Sequence, residues 1–128
     1  MPSNRNVVLA TEEIYHIFNR GVERREIFTD KWEYRRALDT MSYYRFLEPP
    51  IRYSKYITLD KNRRIQLLNA LLTSQLQVDI LAFCLMPNHF HLLLKHTANA
   101  GISRFVSKFC YSYSKYFNIK HDRVGPLF

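Results

Sequence analysis

Apolar and polar positions change period several times along the chain, and each change marks an element. Residues 14–19, IYHIFN, alternate and are rich in β-branched and aromatic types, which predicts a strand. Arg20-Gly21 breaks the alternation, and Gly21 is the early residue that turns without strain. The charged segment from Val22 to Phe28 reads as a hairpin-like excursion. Thr29 or Asp30 can cap the next helix, with Glu33 spaced to complete a capping box with Asp30. Apolar positions Trp32, Ala37, Leu38, Met41, Tyr44 and Phe46 predict a helix to about Leu47, ended by Pro49-Pro50. Residues 48–62 are polar and loop-like. Ile65, Leu68, Leu72 and Leu76 then return to helical spacing and predict a second helix around 63–76. The stretch 48–76 is an expanded connection between core elements, not a domain of its own.

The segment 78–96, VDILAFCLMPNHFHLLLKH, is the most informative. Two apolar runs, Val78–Leu85 and Phe90–Leu94, flank Met86-Pro87-Asn88, which is turn chemistry. They predict an antiparallel hairpin at the centre of a sheet. A last helix is expected from Ile102 or Ser103 to about Asn118, because Ile102, Phe105, Val106, Phe109, Tyr113, Tyr116 and Phe117 share one face. Strand, helix, connection, hairpin and helix make an α+β sandwich, with helices packed on an antiparallel sheet.

Length and composition narrow the classes. The 128 residues suit one domain, and 47% apolar residues supply a real core. No run approaches the length of a membrane helix, and the N-terminus lacks a signal-peptide pattern, so the expected address is the cytoplasm with no membrane partner. Cys84 and Cys110 have neither disulfide-framework nor zinc-finger spacing and read as small core residues. The net charge of +8 favours polyanionic partners. It is concentrated toward the C-terminal end, with six basic residues and one acid after Ile80.

Candidate chemistry follows from position. His89 and His91 lie two apart on a predicted strand, so both imidazoles point to one face while Phe90 points to the other. Their Cα atoms would be about 6.5–7 Å apart, close enough for both rings to meet one ion. Two imidazoles alone do not choose a metal. Oxygen ligands and water would suit Mg²⁺ or Mn²⁺, and Zn²⁺ or another transition metal stays open. His16 and His96 read as structural, and His121 as solvated. On the last helix Arg104, Lys108, Tyr111 and Lys115 line the side opposite the apolar face, with no acid among them. Such a line of donors suits a phosphate backbone. Arg20 is a further DNA-binding candidate, although Glu23 and Glu26 interrupt the arginines that follow it. Nine tyrosines make a nucleophile unselectable by composition. Tyr111 is the exposed one, and Tyr113 and Tyr116 belong to the apolar face.

Three segments carry a resemblance: YHIFNRGVERREIF (15–28), LAFCLMPNHFHLLLK (81–95) and GISRFVSKFCYSYSKYFNIKHDRVGPLF (101–128). In order, they resemble the single-tyrosine HUH transposases, and most of all the REP-associated tyrosine transposases. The resemblance implies a ferredoxin-like α/β sandwich, binding of hairpin DNA, and endonuclease chemistry on single-stranded DNA. It matches His89 and His91 to the metal-binding histidines of the HUH motif, with a divalent cation, Mg²⁺ or Mn²⁺, polarising the scissile phosphate. A tyrosine on a separate helix then attacks, leaving a 5′-phosphotyrosine link and a free 3′-OH for strand transfer. In that branch the tyrosine lies beyond the Gly-Pro-Leu-Phe segment, in a motif like Tyr-Ile-x-x-Asn-Pro. The 128 residues do not contain that motif, and none of their tyrosines matches the nucleophile. The expectation is therefore a metal- and DNA-binding core without its own nucleophile, compatible with a homodimer. The alternatives are a non-catalytic module for DNA or RNA hairpins and a water-using phosphodiesterase. The latter is disfavoured because no carboxylate accompanies the histidine pair.

Overall fold

The computed structural model describes residues 12–128. Strands β1 (Ile14–Arg20), β2 (Val78–Met86) and β3 (His89–His96) form an antiparallel sheet in the order β1-β3-β2. The hairpin therefore supplies the central strand, β3, while β2 is an edge. Around it stand α1 (Lys31–Tyr44), α2 (Tyr53–Tyr56), α3 (Lys61–Leu72) and α4 (Gly101–Lys120). This is the α+β architecture that the hydrophobic pattern predicts.

Alternation along the strands sorts the two faces of the sheet. Ile17, Phe90, Leu92 and Leu94 are buried against the helices, together with Met41, Phe105, Phe109 and Tyr113. Phe90 meets Phe109 edge-on, with ring centroids 5.4 Å apart. Each fully buried side chain of this size contributes roughly 1.5–3 kcal/mol by leaving water. The other face carries His16, Phe18, Arg20, His89, His91 and Leu93. Among the described residues no helix covers that face, and Phe18 remains 62% exposed. No helix among them is long and apolar enough to cross a membrane.

Several local expectations need correction. Helix α1 stops at Tyr44, short of Leu47, because the carbonyl of Arg45 is taken by the N–H of Gln77 and Phe46 bridges to Leu76. The connection holds α2, where Tyr53 and Tyr56 pack on the ring of Tyr43 at 5.4 and 5.1 Å. Helix α3 runs four residues short of Leu76, and it buries Leu71 while Ile65, Leu68 and Leu72 stay exposed. Cys84 is exposed, since it lies on the outward face of an edge strand. Cys110 is enclosed, and burial pushes its thiol up to about 12.

The segment after β1 is not a hairpin but a tight 3₁₀ turn at Val22–Arg24. Glu23 and Arg24 take the left-handed conformation, with φ of 54° and 59°. Gly21 itself has an ordinary φ of −58°. Its missing side chain serves close approach instead, because a Cβ there would lie 2.3 Å from the carbonyl oxygen of Arg25. The cap of α1 is as expected at Asp30, whose Oδ1 accepts from the N–H of Glu33 at 2.9 Å. The Glu33 carboxylate returns the bond to Thr29, accepting from its N–H and its hydroxyl, each at 2.8 Å.

Candidate metal centre and nucleic-acid interface

The turn before β3 is held from outside the hairpin. The carbonyl of Asn88 accepts from the N–H of Gly21 at 2.9 Å, and that of Pro87 from Ile27 and Phe28 at 2.7 and 3.1 Å. A Pro-Asn turn fastened on both carbonyls gives the strand that follows a fixed starting point. His89 and His91 are the first and third residues of that strand, and their rings share the open face. The ring centroids are 5.1 Å apart and the planes nearly perpendicular, at 87°.

Each imidazole is held by one nitrogen. Asn88 Oδ1 lies 2.7 Å from His89 Nδ1. A carboxamide oxygen only accepts, so Nδ1 carries the hydrogen and Nε2 keeps its lone pair. His91 Nδ1 lies 2.8 Å from His16 Nε2. The His16 and His91 rings lie nearly parallel, and Phe18 stacks on both, at 5.8 and 5.9 Å. Desolvation first, then the neighbouring His16 and His89, lower the pKa of His91. A depressed pKa keeps the ring neutral at neutral pH, which is the form that ligates metals.

His16, read from sequence as structural, belongs to this cluster. Its partner is 75 residues away in the chain, so only the β1–β3 register joins them. Arg20 is also here, directly across from His89, with Met86 on the other side. The group fits a divalent cation in one respect: two side-by-side imidazoles, each with its Nδ1 engaged by a neighbour, the usual way ligating histidines are oriented. No set of three His, Cys, Asp or Glu arranged for a metal occurs among the described residues. A cation on this pair would thus complete its shell with water or phosphate oxygens.

The remaining DNA-binding candidates lie elsewhere. Arg104, Lys108, Tyr111 and Lys115 line the exposed side of α4, in the helical layer behind the sheet. Arg104 is anchored there, donating to the carbonyl of Asn99 at 2.8 Å and to Gln77 Oε1 at 3.2 Å. Tyr111 is 70% exposed. The five candidates therefore divide between two faces, with Arg20 alone beside the histidines. No described tyrosine shares the histidine face. Tyr15 follows Ile17 toward the core, and the others stand in the helical layer.

His121 is exposed, as expected, and also joins a charged network. It stacks on Phe117 at 4.0 Å and meets Glu33 Oε2 at 2.8 Å. Lys120 Nζ reaches Glu33 at 2.7 Å and Asp30 at 2.6 Å. Burial alone would raise the pKa of Glu33, but bonds from Lys120, Thr29 and His121 outweigh it and hold the carboxyl below its ordinary value.

The fold and site together define a basic α+β domain with a histidine pair on a hairpin strand. Among known families, the one described as "Transposase IS200 like" matches residues 10–126, and the chain belongs to it. That membership gives the protein a general role in DNA transposition. No curated protein and no solved structure matches the chain.

Proposed function

We propose that the open sheet face holds single-stranded or hairpin DNA for strand cleavage and transfer. In this reading His89 and His91 bind a divalent cation, Mg²⁺ or Mn²⁺, beside the scissile phosphate. The observation that carries it is the pairing of two oriented imidazoles on an uncovered face, in a transposase-family chain. The cation would supply Lewis-acid stabilisation of charge on the phosphate oxygens. The chain's own groups do the rest of the positioning. Asn88 fixes which nitrogen of His89 faces outward, His16 does the same for His91, and Arg20 offers a guanidinium to phosphate oxygens.

The attacking phenol is not among these groups. Tyr113 is buried, its hydroxyl donates to the carbonyl of Ile27, and burial raises its pKa well above the ordinary value. The tyrosine that opens the phosphodiester would come from outside the described residues or from a partner in a dimer. This observation also favours a second reading, in which the domain holds DNA without cutting it.

One experiment separates the readings. Hairpin-bearing single-stranded oligonucleotides are incubated with the protein and Mn²⁺ or Mg²⁺, then resolved under denaturing conditions. A covalent protein–DNA adduct is the expected product of tyrosine chemistry. Cleavage without an adduct would assign the reaction to water, and retention without cleavage would leave the binding reading.

A further inference from the structure

The helical layer contains a cavity of about 380 Å³ between α1, α2 and α4, with the sheet lying between it and the histidine pair. Its size is in the range of small-ligand sites. Arg36, Arg52 and Lys115 contribute to its wall beside Tyr111 and Tyr116, and no carboxylate lines it. Among the described residues none of these three cations makes an ion pair; Lys120, also in the wall, is already held by Asp30 and Glu33.

Arg36 is the unusual member. Its guanidinium sits against the rings of Tyr116 and Tyr53, at 4.5 and 5.0 Å from their centroids. Its Nε is enclosed and has no hydrogen-bond acceptor. Enclosed polar groups of this kind are normally satisfied, and no carboxylate in the cavity wall meets this guanidinium. Lys115 Nζ lies 5.9 Å over the ring of Tyr111, giving the rim a second pairing of cation and ring. Three unpaired cations call for phosphate, and the exposed ring of Tyr111 calls for a flat aromatic group. A nucleotide combines the two, whereas an inorganic anion would leave the ring unused.

We propose that this cavity receives one unpaired nucleotide of a DNA strand, its base against Tyr111 and its phosphate on Arg36, Arg52 and Lys115. The inference rests on the reading of the protein as DNA-binding and adds a second contact, on the layer opposite the histidines. A single short strand cannot occupy both, so DNA would engage the two faces as separate segments.

The test uses the intact 128-residue chain and a fluorescent single-stranded oligonucleotide, read by anisotropy in EDTA, which silences the histidine site. Arg52→Glu with Lys115→Glu, both exposed positions, should weaken binding at least tenfold, whereas Lys61→Glu with Arg64→Glu, the same charge change on the exposed side of α3, should not. Independently, an oligonucleotide carrying 5-iodouracil at an unpaired position should photocrosslink to Tyr111 in the wild-type protein, mapped by mass spectrometry. Wild-type binding that survives the charge reversals, or crosslinks confined to the sheet face, would overturn the cavity and leave the DNA reading intact. An acidic, tyrosine-free peptide that displaces the oligonucleotide as well as mononucleotides do would overturn the ligand class. No DNA binding with or without Mn²⁺ would remove the DNA reading and this inference together.

Discussion

Two bonds from neighbours decide what the histidine pair presents. If Asn88 and His16 orient His89 and His91, then His16→Phe keeps a ring in the stack but removes the bond to His91. Mn²⁺ affinity is expected to fall about 10–100-fold, the usual effect of losing such a partner. Titration calorimetry with Mn²⁺ measures it, and circular dichroism should be unchanged. His89→Ala with His91→Ala should abolish the binding altogether; retained affinity in that double variant would refute the site. At this scale the sequence is legible where neighbours in the chain are neighbours in space. The H-x-H spacing is one case, and the Asp30 cap is another. His16 and Cys84 depart from the local reading because register and edge position decide their surroundings, and neither is local.

Single elements carry the next level of consequence. The β1–turn–α1 passage depends on Gly21, whose Cα lies against the backbone of Arg25 while its N–H holds Asn88. Gly21→Ala would press its Cβ on the Arg25 carbonyl and on the Ile27 side chain, and should cost about 1–3 kcal/mol, as overpacking does. Urea denaturation gives that number. On α4, Lys108→Glu with Lys115→Glu should weaken DNA binding and flatten its dependence on salt, because each lost phosphate contact removes about 0.7–0.9 from the logarithmic slope. An unaltered slope would mean that the helix face is only solvated. The hydrophobic period predicts that α3 and α4 exist, but it cannot say which stripe finds a partner. α4 buries Ile102, Phe105, Val106, Phe109, Tyr113 and Phe117 of its apolar face, whereas α3 leaves three of its apolar residues in solvent.

At the scale of the molecule, acid stability should depend on the network joining α1 to α4. Both Asp30 and Glu33 have lowered pKa values, Asp30 chiefly through its bond to Lys120. A carboxyl depressed by folding stabilises the native state above its unfolded pKa, here 4.5 for Glu33, and loses that effect as pH falls through the folded value. Lys120 is raised by the same partners, first Asp30 and then Glu33, so its share is full below 10.5 and declines only at higher pH. The contribution of this network is flat through neutrality and falls in acid below about 4.5. Glu33→Gln should lower stability at pH 7 by about 1–3 kcal/mol and make the acid limb shallower. Thermal melts across pH measure both. The link between Asp30 and Glu33 is legible as local spacing, but the ties to Lys120 and His121 are not, since Glu33 and His121 are 88 residues apart.

Ile27 deserves a last consequence of its own. Its N–H grips the tip of the hairpin through Pro87, and its carbonyl takes the hydroxyl of Tyr113 in the middle of α4. One peptide unit thus rivets the strand that bears the imidazoles to the longest helix. Cutting the far end with Tyr113→Phe should let the tip breathe, and deuterium uptake at the amides of Ile27 and Phe28 would record it.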